Sequence, residues 1–371
     1  PFSKIEFGIG VNTLSTFRNN FKINPNANSI EGYVGLNSRD KQLPEEVNGY
    51  RPSSYNFNSV QSRNSFGEGW NVNNVKSLPN TSLGFTKAQK FKIGETSNLG
   101  FLFSLNQGNS YEYRDGVKNQ FRLNGNSIDY NNNLNRQEYT YETESSVLLG
   151  LGFKNKGTAI NFNGFFLQNS ENLVQDYVGF RNGETNNEQF IRVNQQDISR
   201  FTDLQLTASQ KITERHSVKA GVSWVNNFYQ QPDRKIMYGQ PGEGNDINLS
   251  FGGNNLLRQY LDVNGKNYFS AFAEYALNLG EKGDKKDFPW QLAIGYNGFA
   301  DVRNTSYRFI YSVLDNPAQS QITVDRDTPQ AMFDQSILNG TYHYREGSTS
   351  EYKNNLYQFV NAGYLNINYK P

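Results

Sequence analysis

The sequence predicts an all-β chain, an antiparallel transmembrane β-barrel with about ten strands. Two observations carry this. Apolar and polar residues alternate over stretches of about ten: Phe101, Phe103 and Leu105 alternate with Gly100, Ser104 and Asn106, and Val147, Leu149, Leu151 and Phe153 with Ser146, Gly150 and Gly152. A period of two makes a strand with one apolar and one polar face. The second observation is that short and long connectors alternate along the chain, as in barrels with short periplasmic turns and long external loops. A soluble protein of several β-sheets is the competing reading. Its inner faces would alternate too, but its connectors have no reason to sort by side.

Composition agrees. Hydrophobic content of 36% and a mean hydropathy of −0.74 look soluble, yet 27 Phe and 23 Tyr are too many for a disordered polymer. No apolar run approaches the roughly 18 residues of a membrane helix. A barrel reconciles these, because only every second strand residue meets lipid. The net charge of +1, from 36 basic and 35 acidic residues well mixed, offers no field to hold nucleic acid. Without cysteine there is no disulfide, thiolate metal site or thiol nucleophile. Pro1 and the absence of a basic, apolar signal segment suggest a mature product or an internal piece.

Strand by strand, the first spans about Lys4 to Thr13, with Ile5, Phe7, Ile9 and Val11 on one face. A polar stretch follows, and then a hairpin of Ser82 to Phe91 with Leu99 to Tyr111 across KIGETSN. Glu144 to Phe153 and Thr158 to Gln168 flank the turn KNKG, whose Asn and Gly accept positive φ at little cost. Thr202 to Ala208 and Val218 to Trp224 flank KITERHS; Phe269 to Leu279 and Trp290 to Tyr296 flank EKGDKKD, the latter strand continuing through Tyr307, Phe309 and Tyr311. Leu356 to Tyr369 is the last strand. The long connectors, expected outside the cell, cover about 17–81, 112–143, 169–199, 230–265 and 312–354.

Most candidate motifs fail on spacing. His216 and His343 have no Cys nearby and no HExxH spacing, so a metal site is not expected. Asp129, Asn131, Asn133 and Asn135 approximate a calcium loop, but Leu134 stands at the required Gly and Thr140 at the terminal Glu. GLGFKN at 150–155 lies inside a strand and lacks the last Gly of a dinucleotide fingerprint. Asp203 and Glu274 are expected in the barrel interior, which is ordinary for a lumen and names no catalyst, so neither enzyme nor cofactor is expected. Trp224 and Trp290 suit interfacial belts or plain sheet packing. Trp70, Tyr111, Tyr113, Tyr139, Tyr141, Tyr238, Tyr342 and Tyr344 lie in long connectors among Asn, Gln, Arg and Gly. Their rings suit stacking on a sugar, peptide or aromatic chelator, or packing on one another inside folded loops.

These segments resemble the barrels of TonB-dependent outer-membrane receptors in the SusC-like, Bacteroidota style. The resemblance rests on LPEEV (43–47), GWNVNNVKSLPNTSLGF (69–85), LGFLFSLNQGNSYEYR (99–114), LQLTASQKI (204–212), VKAGVSWVNNFYQQPDRKIMYG (218–239), with Pro232, Asp233 and Arg234 as the turn, and AGYLNINYKP (362–371). It implies a 22-stranded barrel closed by an N-terminal plug. It also implies uptake of a scarce nutrient, whether glycan, siderophore, peptide or vitamin, driven by a TonB-type energy-coupling complex. Implied partners are outer-membrane lipid and a surface lipoprotein lid of the SusD-like kind. No plug-like segment precedes Lys4 and no coupling box or terminal aromatic is found, so the chain is expected to be the middle of a longer polypeptide. The alternative role is an accessory subunit of a larger outer-membrane assembly or secretion complex.

Overall fold

The computed structural model describes residues 1–49, 52–183, 185–280 and 288–369, so the connector EKGDKKD lies outside the described residues. Ten long strands build one antiparallel meander. They are β1 (Phe2–Gly10), β2 (Asn80–Ile93), β3 (Ser97–Asn124), β4 (Ser127–Lys154), β5 (Thr158–Phe180), β6 (Gln189–Lys211), β7 (His216–Pro241), β8 (Leu256–Leu279), β9 (Trp290–Leu314) and β10 (Lys353–Tyr369). Each pairs with the next in chain order. Among the described residues no pairing joins β1 to β10, so the outer edge of each carries no strand partner.

Pairing register joins the alternating faces into one belt. Ile5 lies opposite Phe85, Phe85 opposite Leu105, Leu105 opposite Val147 and Val147 opposite Phe166. Farther along, Leu206 faces Val222, Leu277 faces Leu292 and Leu292 faces Ile367. Directly opposed residues share a sheet face, so the apolar face runs without a break from β1 to β10. It is exposed, with Ile5 at 76%, Leu206 at 44% and Ile367 at 63%. The reverse face is mostly small and polar: Gly84, Asn106 and Ser146 make one row, and Asn163, Gln205, Ser223 and Ser270 another. Asp203 and Glu274 stand on this reverse face, where Tyr364 donates to Glu274 at 2.8 Å.

Trp224 pairs with Phe269, and Trp290 with Leu279, ten positions away along β8. Ten strand residues rise roughly 33 Å. At a strand tilt of about 40° this projects to roughly 25 Å, the height of a membrane barrel's apolar band. The two tryptophans mark opposite ends of the belt. No helix among the described residues is long and apolar enough to cross a membrane.

The turns at the Trp290 end are short. In KNKG the work is done by Asn155, whose side-chain oxygen accepts from the Gly157 and Thr158 amides at 3.0 and 2.7 Å. Neither Asn155 nor Gly157 adopts positive φ, contrary to expectation, because this Asx-type turn reverses the chain without it.

The other end differs from expectation more deeply. Segments 112–143, 169–199 and 230–265 are largely strand, and β3 and β4 run out to a tight turn at Gly125 and Asn126. Both faces of this distal ladder carry polar residues and tyrosine, so hydropathy alone marks it as loop. The described residues of 11–79 and 315–352 fold into a cover. The cover holds helices α1 (Ile30–Tyr33), α2 (Ser59–Asn64) and α3 (Gln330–Leu338) and short strands at Phe21–Ile23, Asn73–Val75, Gln321–Asp325 and Tyr342–Glu346. In α2 the Asn58 side chain accepts from the Gln61 amide and the Gln61 side chain from the Asn58 amide, a reciprocal cap.

Candidate functional site

Strand register fixes which face the cover occupies. From Leu105 and Val147 out to Tyr111, Tyr113, Tyr139 and Tyr141 the β3–β4 register has no shift. These tyrosines therefore stand on the belt face, beyond the belt. Phe21 sets its ring edge-on to Tyr111 and Tyr139 at 5.3 and 5.4 Å, and Ile23, Ala27, Val72 and Val174 complete the cluster. The Arg18 guanidinium lies 3.3 Å over the Tyr113 ring. Burial, with help from Tyr113 and Asp176, pushes the Tyr139 phenol up to about 12.

A larger core lies over β6 to β9. Trp70 donates its indole N–H to the Tyr344 hydroxyl at 2.8 Å and meets Phe333 edge-on. Tyr342 stacks on Phe251 at 4.2 Å. The Arg258 guanidinium sits over the rings of Phe66, Trp70 and Tyr344 at 4.4, 5.2 and 5.7 Å. Of the eight candidate ligand-facing aromatics, seven, Trp70, Tyr111, Tyr113, Tyr139, Tyr141, Tyr342 and Tyr344, are thus buried in the chain's own packing, the second of the two arrangements their sequence context allows. The physical reason is the apolar area each ring offers on burial: in the larger core, rings such as Phe57, Phe251 and Phe333 pack beside aliphatics such as Val47, Leu249 and Ile337. Tyr238 is half-buried under the Arg181 guanidinium at 5.1 Å. His343 pairs with Asp315 at 2.9 Å, and the His216 Nδ1 contacts the Tyr275 hydroxyl.

Two buried charge clusters pin the cover to the sheet. In the first, Arg192 on β6 clasps Asp176 on β5 with two bonds of 2.7 Å and reaches Asp327 at 2.7 Å, while Lys22 bridges the same carboxylates at 2.9 and 2.8 Å. Burial works to raise the Asp327 carboxyl, but Arg192 and Lys22 overcome it and hold it well below the usual carboxylate range. Asp176 is lowered in the same way, against burial, by Arg192 and Lys22. In the second cluster Glu68 meets Lys41 and Lys235 at 3.4 Å each, and Asp233 meets Arg258 at 2.6 Å. Burial lowers the Lys41 ammonium despite Glu68. Pro232, Asp233 and Arg234, expected as a turn, lie inside β7 at a register shift, where Asp233 takes positive φ and pairs with buried Arg258.

The reverse face at this height carries a different chemistry. Glu142 lies directly opposite Glu171, and Glu171 directly opposite Asp197. Glu144 stands one row nearer the belt end, and Glu138 two rows farther out, near Arg114 and Arg136 at 3.5 and 3.4 Å. Asp197 accepts from Tyr229 and Gln231, both at 2.8 Å. Burial raises the Glu171 carboxyl, and Asp197, Glu142 and Glu138 add to it. Beside the row, Gly8, Gly10, Ser82, Gly108 and Ser110 leave an open concavity of about 470 Å³ bounded by Glu142 and Glu144.

Directly opposed like charges destabilise a sheet by roughly 0.2–1 kcal/mol. Glu171→Gln is therefore expected to stabilise the chain at neutral pH, by about 0.5 kcal/mol, and the gain should shrink as acid protonates the wild-type carboxyl. Denaturant titration at two pH values checks this; an unchanged or lowered midpoint at neutral pH would contradict it.

Sequence reasoning missed both clusters and the acidic row. Lys22 and Asp327 are 305 positions apart, and a lone charge in a polar stretch carries no mark of burial. The row was within reach, since Glu138, Glu142 and Glu144 share a parity opposite to Tyr139, Tyr141 and Val147. Comparison of the chain with protein-family models, with curated proteins and with solved structures finds no match.

Proposed function

We propose that this sheet is part of the wall of an outer-membrane barrel that serves as a receptor and transporter for a scarce nutrient. The single observation that carries the membrane reading is the exposed belt, continuous over ten strands and flanked by Trp224 and Trp290, with a polar reverse face. In this reading the unpaired edges of β1 and β10 pair with further wall strands, since an open edge is not stable in hydrocarbon. The reverse face lines the lumen. Ligand then contacts the concavity and the acidic row, and not the buried aromatics. Movement through the lumen is gated by a plug and driven by a TonB-type coupling complex, with a lipoprotein lid at the outer end, as the resemblance implies. Glycan, siderophore, peptide and vitamin remain the candidate cargoes.

Import assays on a deletion strain test transport. Loss of uptake of one ligand class, restored by the gene, supports it; unchanged uptake of every class would overturn it while leaving the wall intact. One observation favours a second reading. The cover commits its aromatics to its own packing, as suits an accessory subunit of an assembly or secretion complex. Purification of the native complex separates the two: a stoichiometric lipoprotein lid supports transport, and insertion or secretion machinery supports the accessory role.

A further inference from the structure

The turn around α1 has an unusual surface. Within seven residues, Ile30 is 89% exposed, Leu36 54%, and Tyr33 and Val34 37% each. Scattered apolar residues on a surface need no explanation, but a contiguous group does. Its backbone is not loose. Gln107 on β3 donates to the Tyr33 carbonyl at 2.7 Å, and Gln168 on β5 donates to the Val34 and Gly35 carbonyls at 2.9 Å each. Gly35, at φ +70°, sits so close to the sheet that a Cβ would fall 2.8 Å from the Gln168 amide nitrogen and 3.1 Å from the Ser170 Cβ. The sheet thus holds the backbone while Ile30 and Leu36 stay largely exposed and the Tyr33 ring reaches back toward β2.

The place of this knob gives it meaning. Gln107, Ser145 and Gln168 form one row, and two residues toward the short turns the next row is Leu105, Val147 and Phe166. On β3 to β5 those last residues are the belt's final apolar row, and on β1 and β2 the belt runs one row farther, through Phe7 and Leu83. Two strand residues rise roughly 7 Å, so α1 is seated on the belt face one row beyond the belt's edge. Its apolar side chains continue the belt outward. Tyr33, with an apolar ring and a hydroxyl 3.5 Å from the Thr81 Oγ1, is the residue type found where a membrane meets water.

We propose that the knob formed by Ile30, Tyr33, Val34 and Leu36 inserts into the interfacial layer of the outer membrane leaflet and anchors the cover to the lipid surface. This rests on the belt being the lipid-facing wall, and continuity with that belt selects lipid as the occupant. An apolar edge lying in the interface is buried about 5–10 Å into the headgroup and acyl boundary.

The sequence has no cysteine, so introduced ones can be labelled singly. The full chain, labelled with an environment-sensitive fluorophore at Ile30→Cys, Ile294→Cys or Asn126→Cys, is reconstituted in phosphatidylcholine vesicles. The lipids are brominated either near the headgroup or near the chain end. At Ile30 the expected result is blue-shifted emission and quenching roughly twofold stronger by the shallow bromines than by the deep ones. Ile294, in the belt, should be quenched, and Asn126, at the β3–β4 tip, should not. Quenching at Ile294 without quenching at Ile30 would overturn the anchor and leave the membrane reading standing. No quenching at either would remove the membrane reading and the anchor with it. A blue shift at Ile30 that bromine does not touch and dilution abolishes would assign the knob to contact between two copies, and would also overturn the proposal.

Discussion

Replacing Arg192 with methionine should release the cover from the β5–β6 hairpin. Arg192 is only 1% exposed and is the shared partner of Asp176 and Asp327, so its loss leaves two buried carboxylates sharing the cation Lys22, with Asn74 as a further donor to Asp327. Removing one member of a buried ion cluster costs about 3–5 kcal/mol, most of it the uncompensated charge that remains. Thermal unfolding and proteolysis of segments 11–79 and 315–352 read the effect. Arg192→Lys keeps the charge but loses the two-pronged grip on Asp176, and should fall between wild type and Arg192→Met. Pairing Arg192→Met with Asp176→Leu removes the stranded charge and should recover part of the loss. Full stability in Arg192→Met alone would show that the cluster does not hold the cover.

The same cluster sets an acid limit. Asp176 and Asp327 titrate below their unfolded value, near 3.9, so the stability they give is complete above that pH. It is lost as pH falls from there through the depressed folded values. Protease sensitivity of the cover should therefore rise steeply below about pH 4, and in Arg192→Met the rise should begin at higher pH.

The second large effect belongs to the belt. Leu206 lies within it, opposite Phe162 and Val222, and its neighbour Gln205 points to the reverse face, where it donates to Asp203 at 2.8 Å. Leu206→Arg should destabilise the protein in vesicles by about 2–4 kcal/mol, the cost of arginine near the bilayer midplane. Gln205→Arg, one residue away, should change stability by less than about 0.5 kcal/mol, since it meets water and a carboxylate. Denaturant titration of both variants after vesicle reconstitution gives the comparison. Equal costs would deny that the two faces see different solvents.

The contrast between those neighbours explains what the sequence could show. The ten long strands were legible because each belt residue repeats its signal every second position, from Phe101 to Leu105 and from Phe269 to Leu279. The side of the sheet taken by Asp203 and Glu274 followed from the same parity. What failed was the reading of polar segments as loops. Tyr111 to Tyr141 forms a ladder whose strength lies in backbone pairing and cross-strand rings, and neither appears in a hydropathy pattern. The cover's partners were beyond reach for another reason. Lys22 meets Asp327, and Trp70 meets Tyr344, only after the chain has closed loops of hundreds of residues. The aromatics were recognised as a group, but whether they bind themselves or a ligand is decided by those distant contacts.

The membrane reading requires that one face of the sheet meet lipid and the other water. Spin labels placed singly at each position from Leu99 to Gln107 on β3, in the vesicle-reconstituted protein, distinguish the two faces. Collision rates with oxygen, which concentrates in lipid, and with a water-soluble nickel complex should alternate with period two. Positions 99, 101, 103 and 105 should favour oxygen, the intervening ones nickel, and the preference should fade at 107, where the belt gives way to Gln107. Nickel access at every position, without alternation, would contradict the membrane wall on which the proposed function stands.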